Sequence, residues 1–67
     1  MTVWIIEKGE RYEGADIISA HATKESALAA AKIFRAEDNW TQDDEDELRW
    51  DKEDLYYMVI FEQEVLP

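Results

Sequence analysis

The segment LYYMVIFEQEV, residues 55–65, is rich in aromatic and β-branched residues and has the strongest strand propensity in the chain. The segment VWIIEK, residues 3–8, has the same character, and DIISAHA at 16–22 is a third run of this kind. Turn residues predict a break at 8–10 and another at 13–15. Because the connection between the first two strands is short, they are expected to pair antiparallel.

A helix is predicted between the second and the last of these strands. Thr23 is a favourable N-cap residue, and Glu25 lies in the first turn, where the helix dipole favours an acid. Helical spacing places four residues on one face: Ala27, Ala30, Ala31 and Phe34. The sequence therefore predicts a helix over residues 24–37, stopped by Asn39, that packs on one face of the sheet.

The segment between the helix and the last strand supports two interpretations. In the favoured one, an acidic loop or helical turn at 41–46 leads into a hairpin, with 48–50 as its first strand and 51–54 as its turn. In the other, Thr41 caps a short helix with an acidic first turn. The predicted fold class is α+β, in the order ββα(β)β. A small antiparallel sheet of three to four strands carries one helix on one face, and residues 1–67 form a single domain.

One helix covers only one face of such a sheet, yet 3–8 and 56–61 are apolar at both alternating sets of positions. The second apolar face needs a cover, and three are considered. The first is a homodimer through the open sheet, and the second is a bound partner. The third, which we favour, is a lid formed by the acidic segment with Trp40 and Trp50.

Composition narrows the classes of function. The chain has no cysteine, which excludes a disulfide scaffold, a thiolate zinc site and cysteine chemistry. No basic region followed by an apolar run is present at the N-terminus, so we expect no signal peptide. No apolar run approaches the ~18 residues of a membrane span. These features predict a cytoplasmic protein.

The sequence contains little that catalysis requires. His21 is the only histidine, and no serine lies in a nucleophile motif. Gly9 and Gly14 are isolated, so there is no Gly-rich phosphate loop. We interpret His21 as a surface or edge-strand residue, and we expect a protein that is not an enzyme and needs no cofactor.

Five acids have the spacing of a calcium-binding loop, at positions 1, 3, 5, 9 and 12 counted from residue 43. They are Asp43, Glu45, Glu47, Asp51 and Asp54. Leu48 stands where such a loop needs glycine, and Asp54 stands where it needs a bidentate glutamate. We therefore expect at most weak binding of divalent cations and no dedicated metal site.

Charge is the strongest functional signal in the sequence. Seventeen acidic residues against seven basic ones give a net charge of −10. Ten of the acids lie in the acidic segment 37–54, against only Arg49 and Lys52. Duplex DNA presents one negative charge per ~1.7 Å of axis, so a protein that grips phosphates experiences a similar field from this segment. The same charge disfavours direct binding of nucleic acid or of an anionic membrane.

The predicted partner-binding residues are eight acids and one tryptophan that would anchor the partner. They are Asp43, Asp44, Glu45, Asp46, Glu47, Trp50, Asp51, Glu53 and Asp54. Tryptophan is enriched at interface hot spots, but for Trp40 and Trp50 the alternative is a place in the core. For the acids, the alternative is a solvated connector that serves solubility.

Several stretches resemble small phage and bacterial proteins that have two strands joined by a Gly/Tyr/Glu turn and then a TKExA-type helix start. The stretches are VWII at 3–6, GERYEG at 9–14, II at 17–18, ATKESA at 22–27 and YYMVIFE at 56–62. AHAT at 20–23 departs from the VFST-type sequence more often found in that group. In size, acidity and lack of a catalytic motif the chain is also similar to phage-encoded anti-CRISPR and anti-restriction inhibitors, many of which mimic DNA. This second similarity implies no residue roles.

Charge placement and this similarity predict a non-catalytic acidic inhibitor that acts by electrostatic DNA mimicry. It would occlude the nucleic-acid-binding surface of a host defence complex, a CRISPR effector first of all. Its partner would be a basic nucleic-acid-binding protein in the cytoplasm of the host cell. The alternative is an interaction module that assembles through its open apolar sheet face, as a homodimer or on a partner, with the acids serving solubility.

Overall fold

The computed structural model of the chain describes residues 1–36 and 39–66. Within them the chain forms one α-helix and five strands: β1 (Thr2–Glu10), β2 (Gly14–His21), α1 (Lys24–Phe34), β3 (Thr41–Gln42), β4 (Arg49–Lys52) and β5 (Tyr56–Glu64). The strands form one sheet in the order β2-β1-β5-β4-β3, with every neighbouring pair antiparallel. The predicted α+β class is confirmed, with five strands in place of three to four.

The strands differ from their predicted bounds in several places. β2 begins at Gly14, inside the predicted turn, and Thr41–Gln42 form β3 at the start of the segment 41–46, where we favoured a loop or helical turn. β1 continues through residues 8–10, where we predicted a break, because Gly9 pairs with both Ala15 and Tyr57. Thr41 lies in the two-residue strand β3 and pairs with Asp51, so the alternative of a helix capped by Thr41 is wrong. The predicted hairpin toward the last strand is confirmed as β4 and β5, but its bounds are corrected. Its first strand is Arg49–Lys52 instead of 48–50, and its turn is 53–55 instead of 51–54, because Asp51 and Lys52 pair with Tyr57 and Tyr56.

The helix begins where the sequence predicts and ends earlier. Thr23 has extended backbone angles, and its Oγ1 accepts a hydrogen bond from the Ser26 amide at 3.1 Å, as an N-cap does. α1 ends at Phe34, and the Arg35 amide donates to the carbonyls of Ala31 and Ile33. The helix therefore does not extend to Asn39, and residue 37 lies outside the described residues.

The hydrophobic core lies between α1 and one face of the sheet. Its six buried members are Ile6, Ala27, Ala31, Trp50, Met58 and Ile60. Alanine favours the helix and has a small side chain, so the backbone of α1 can approach the sheet closely. Ile6 and Met58 have no exposed surface, and burial of each side chain contributes about 1.5–3 kcal/mol.

Both tryptophans of the predicted lid lie on the helix side of the sheet. Trp50 pairs with Met58, so the two side chains point to the same face, toward α1. Trp40 packs against the same core, with the ammonium groups of Lys8 and Lys52 at 5.8 and 5.5 Å from its ring centroid. The lid prediction is therefore wrong, and no described residue of the acidic segment folds across the opposite face.

Replacing Gly9 with alanine is expected to destabilise the sheet. A Cβ at this position would lie 2.7 Å from Ala15 Cβ, 2.7 Å from the Gly14 carbonyl oxygen and 2.8 Å from Tyr57 Oη. Two of these contacts come from the paired strand β2 and its turn, which cannot move aside freely. Overpacking of this kind costs about 1–3 kcal/mol. Thermal unfolding should show a clearly lower midpoint for Gly9→Ala, and an unchanged midpoint would contradict the packing described.

Candidate partner-binding site: the acidic edge

The eight predicted partner-binding acids lie along one edge of the sheet, named here the acidic edge. They are Asp43, Asp44, Glu45, Asp46, Glu47, Asp51, Glu53 and Asp54. Five stand in the loop from β3 to β4, one stands in β4, and two stand in the turn from β4 to β5. Because β3 is the outermost strand and β4 is its neighbour, all eight lie on one side of the molecule. Glu37 and Asp38, the other acids of the predicted cluster, lie outside the described residues.

Two acids of the β3–β4 loop hold its shape. Asp43 Oδ1 accepts hydrogen bonds from the amides of Glu45 at 2.8 Å and Asp46 at 3.1 Å. Asp46 Oδ1 accepts from the Leu48 amide at 2.9 Å. Aspartate favours such turns because its short side chain reaches backbone amides two or three residues further on. Part of the negative charge is therefore used to organise the loop that carries the rest.

Further contacts attach the loop to the body of the protein. Gln42 Nε2 donates to the Glu47 carbonyl at 2.8 Å, and the Asp43 amide donates to the Arg49 carbonyl at 2.9 Å. Lys24 Nζ, at the start of α1, forms an ion pair with Glu47 Oε1 at 3.2 Å. The carboxylate of Glu47 is largely exposed, so this pair adds little stability, but it offsets the charge of Glu47.

Asp51 is the one acid of the edge held in a bidentate pair. Arg49 donates from Nη2 to Asp51 Oδ1 at 3.1 Å and from Nε to Oδ2 at 3.3 Å. The guanidinium also stands 5.2 Å from the ring centroid of Tyr57. The hydrogen bonds to Asp51 raise the pKa of Arg49, burial partly opposes this rise, and the negative charges of Asp51 and Asp43 add to it. Arg49 is thus a fixed cation that neutralises Asp51.

Acids far apart in sequence line one depression at this edge. The depression has a volume of about 440 Å³ and is lined by Thr41, Gln42, Asp43, Asp44, Asp51, Glu53 and Asp54. A second depression of about 500 Å³ is lined by Gln42, Asp43, Asp44, Glu45 and Glu47. The β3–β4 loop and the β4–β5 turn lie at the two ends of β4. Because β4 spans only ~13 Å, these two segments stay close together.

Four acids of the edge stay fully available to a partner. Asp44, Glu45, Glu53 and Asp54 are exposed, and none forms an ion pair with another described residue. Thr41 and Gln42 also line the depression, and sequence reasoning did not find them. No local pattern marks this pair, because its position depends entirely on the register of β3 against β4.

The β4–β5 turn is strained at two acids. Glu53 and Asp54 both have a φ of +57°, and the Leu55 amide donates to the Lys52 carbonyl at 3.2 Å. Two central residues with positive φ characterise a type I′ turn, which favours Asn-Gly at these positions. Glutamate and aspartate therefore occupy a turn whose backbone other residues would adopt at lower cost.

Replacing the two turn acids with Asn-Gly should stabilise the protein. The variant Glu53→Asn/Asp54→Gly places residues that tolerate positive φ where the backbone requires it, which should add about 1 kcal/mol of stability. For a domain of this size the thermal midpoint should rise by roughly 4–8 °C. The single variants Glu53→Asn and Asp54→Gly should each show part of this gain in stability. A lower midpoint in the double variant would contradict the turn geometry described.

Trp50 does not belong to the surface of the acidic edge. Its side chain is 4% exposed, and the Arg35 guanidinium lies 4.2 Å from its ring centroid. The prediction that Trp50 anchors a partner is therefore corrected, because β4 directs this ring into the core. The alternative role in the core is the one the structure supports.

The calcium-type spacing does not correspond to a loop in the fold. Arg49–Lys52 form β4 in the middle of the twelve positions, so Asp51 is held in a strand and paired with Arg49. In the part of the chain that the structure describes, no three histidine, cysteine or acidic residues are grouped so that they could hold a metal ion.

His21 lies at the end of β2, the outermost strand on the other side of the sheet. Its Nδ1 is 3.0 Å from Ser26 Oγ, and its Nε2 is 2.9 Å from Ser19 Oγ. One ring nitrogen donates and the other accepts, depending on the tautomer. The imidazole thus connects β2 to the first turn of α1, consistent with the edge-strand interpretation.

Comparisons with protein-family models, with curated proteins and with solved structures find no match to this chain. Among the described residues, no helix is both long enough and apolar enough to cross a membrane. The geometry of the acidic edge is therefore the basis for assigning a function.

Proposed function

We propose that the protein is a non-catalytic inhibitor that covers the nucleic-acid-binding surface of a host defence complex, with CRISPR effectors as the first class to test. The observation that carries the proposal is the shared depression, where acids from the β3–β4 loop and the β4–β5 turn converge. Its action would be electrostatic mimicry of DNA, at the basic groove that normally holds phosphates.

The charge of the acidic edge suits such a groove. Eight acids face only Arg49 and Lys52 within residues 43–54, and Arg49 is already paired with Asp51. Residues 43–54 thus carry a net charge of −6, which duplex DNA presents over ~10 Å of its axis, a length comparable with the ~13 Å spanned by β4. A cleft lined with Lys and Arg would therefore attract the acidic edge and duplex DNA over a similar length.

The protein keeps this charge at a cost in stability. Like charges gathered in one region repel one another, and a 67-residue domain has little stability in reserve. Glu53 and Asp54 also hold backbone angles that Asn-Gly would adopt more easily. Strain retained at exposed positions supports a role in recognition.

The inhibitor would act in the cytoplasm of the host cell, where such complexes work.

Capture from a host lysate that contains a CRISPR effector tests the proposal. The immobilised protein should retain a basic nucleic-acid-binding subunit, and excess duplex DNA should release it. Duplex DNA alone should not bind to the immobilised protein, because both are strongly negative. Retention of a partner that excess DNA does not displace would contradict mimicry.

The alternative, an interaction module that uses the open sheet face, is favoured by a separate observation. Strand pairing leaves that face with few charges although the chain carries −10 overall. An apolar interface of this kind should respond little to salt, whereas binding through the acidic edge should weaken steeply as salt rises.

A further inference from the structure

The sheet face opposite α1, named here the open face, is nearly free of unbalanced charge. Register and strand alternation place these residues on it: Val3, Ile5, Glu7, Gly9, Ala15, Ile17, Ala20, Arg49, Asp51, Tyr57, Val59, Phe61 and Gln63. Only three of them are charged, and Arg49 and Asp51 neutralise each other. Glu7 is the one charge on this face without a described ion-pair partner.

An acid, Glu7, and a base, Arg49, lie in one row across the open face. Glu7 pairs with Val59, and Val59 pairs with Arg49, so the carboxylate and the guanidinium flank Val59 on either side. Neighbouring strands are ~4.8 Å apart, which places the backbones of Glu7 and Arg49 roughly 10 Å from each other. Among the described residues no ion pair joins the two within one molecule, because the Arg49 guanidinium is held by Asp51. β5, which carries Val59, is the middle strand of the five.

We propose that the open face binds a second copy of the chain, face to face, with a twofold axis along β5. Rotation about that axis places β1 of one copy over β4 of the other, because these strands flank β5 on its two sides. Glu7 of each copy then meets Arg49 of the other. Two reciprocal ion pairs form, and Val59 lies against its own counterpart. A twofold interface requires such self-complementarity.

The dimensions of the face are suitable for a dimer of modest affinity. β1 and β5 have nine residues each and span ~30 Å, and five strands extend over ~19 Å. Sheets that pack face to face keep their strands within about 30° of each other at a spacing of ~10 Å. A twofold axis along β5 meets this condition, because it leaves the β5 strands of the two copies parallel. The twofold places β4 and β3, with four and two residues, over β1 and β2 of the other copy. The area covered on each copy is therefore roughly 300 Å², well below the ~800 Å² per partner of a standard interface. Weak, concentration-dependent self-association is therefore expected, within the range that protein concentrations up to about 1 mM reveal.

This dimer is independent of the proposed inhibitor function and responds to salt much less steeply. The exposed acids Asp44, Glu45, Glu53 and Asp54 lie in the loop and turn at the two ends of β4, at the rim of the pairing. Added salt weakens the two reciprocal ion pairs but also screens the repulsion between two chains of −10, so self-association should change little while binding to a basic partner weakens steeply.

Sedimentation equilibrium tests the proposal over protein concentrations from about 5 µM to about 1 mM. The wild type should show a monomer–dimer equilibrium. Glu7→Arg and Arg49→Glu should each weaken dimerisation at least ~10-fold, since each places like charges opposite one another. The double variant restores opposite charges at wild-type net charge and should recover most of the affinity. Glu62→Arg and Lys32→Glu make the same net charge changes away from the open face and should leave dimerisation within ~3-fold of wild type.

A second measurement keeps the test valid if a variant fails to fold. In the methyl-labelled wild type, the Val59 methyl resonances should shift with protein concentration, whereas those of the core residues Ala27 and Ala31 should not. A wild type that stays monomeric to about 1 mM overturns the proposal. Dimers that neither single variant weakens, or that the double variant fails to restore, overturn the Glu7–Arg49 pairing.

Discussion

Neutralising the four unpaired acids of the acidic edge should lower affinity for a basic nucleic-acid-binding partner by at least ~100-fold. The variant is Asp44→Asn/Glu45→Gln/Glu53→Gln/Asp54→Asn. Each close charge pair at an interface contributes about 1 kcal/mol or more, and 1.4 kcal/mol corresponds to a factor of ten in affinity. None of the four side chains makes an ion pair with another described residue, so the fold should not depend on them. Titration calorimetry with the captured partner measures the loss.

A matched control removes the same total charge from other parts of the surface. Glu13→Gln/Asp16→Asn/Glu62→Gln/Glu64→Gln changes four exposed acids outside the acidic edge. Affinity should stay within ~5-fold of wild type, because screening limits the reach of exposed charges to ~8 Å at physiological salt. Equal losses in both variants would show that total charge, and not the acidic edge, drives binding.

Replacing Trp50 with alanine should remove about half or more of the free energy of unfolding and lower the thermal midpoint by more than ~10 °C. Truncation of a buried tryptophan costs about 3–5 kcal/mol, and a chain of this length has a total stability of roughly 3–10 kcal/mol. Trp50 is 4% exposed and belongs to the core formed with Ala27 and Ala31, and its ring also stacks with the Arg35 guanidinium. Far-UV circular dichroism with thermal unfolding gives the measurement.

Trp40 provides the comparison for this prediction. It is only half-buried at the margin of the same core, so Trp40→Ala should cost clearly less stability than Trp50→Ala. If Trp50→Ala unfolded cooperatively at the thermal midpoint of the wild type, the ring would not lie in the core. The prediction that Trp50 anchors a partner at the surface would then have to be reconsidered.

The helix and the main strands could be predicted because their signals are local. Thr23 as N-cap and the alanines of α1 specify a helix start and a face without reference to the rest of the chain. The aromatic and β-branched composition of β1 and β5 likewise indicates strands wherever they pair. Two bounds of these elements were misplaced. The end of α1, at Phe34, was placed too late, since an alanine-rich segment has no strong stop signal there, and β1 was expected to break at 8–10 although it continues to Glu10.

The side of the sheet on which Trp50 lies could not be predicted. Leu48 and Trp50 alternate with Arg49, so the sequence shows that they share a face, but not which one. β5 is apolar on both faces, with Met58 and Val59 on opposite sides, so either register of β4 would have met apolar neighbours. The lid prediction failed for this reason.

The content of the acidic edge was predictable, but its shape was not. Ten acids in one segment are visible in the sequence, whereas their convergence depends on the β4 hairpin and on the two-residue strand β3. Whether Asp44 and Asp54 line a common depression is a property of that register. The row that Glu7, Val59 and Arg49 form across the sheet also appears only when β1, β5 and β4 are aligned.

A competition measurement tests the central claim most directly. The affinity of a CRISPR effector for labelled duplex DNA is measured at increasing concentrations of the protein, with the acidic-edge variant alongside. Mimicry predicts mutually exclusive binding, so the apparent dissociation constant for DNA should rise in proportion to protein concentration, and the variant should need at least ~100-fold more protein for the same effect. A ternary complex in which effector, DNA and protein bind together, with unchanged DNA affinity, would contradict the claim.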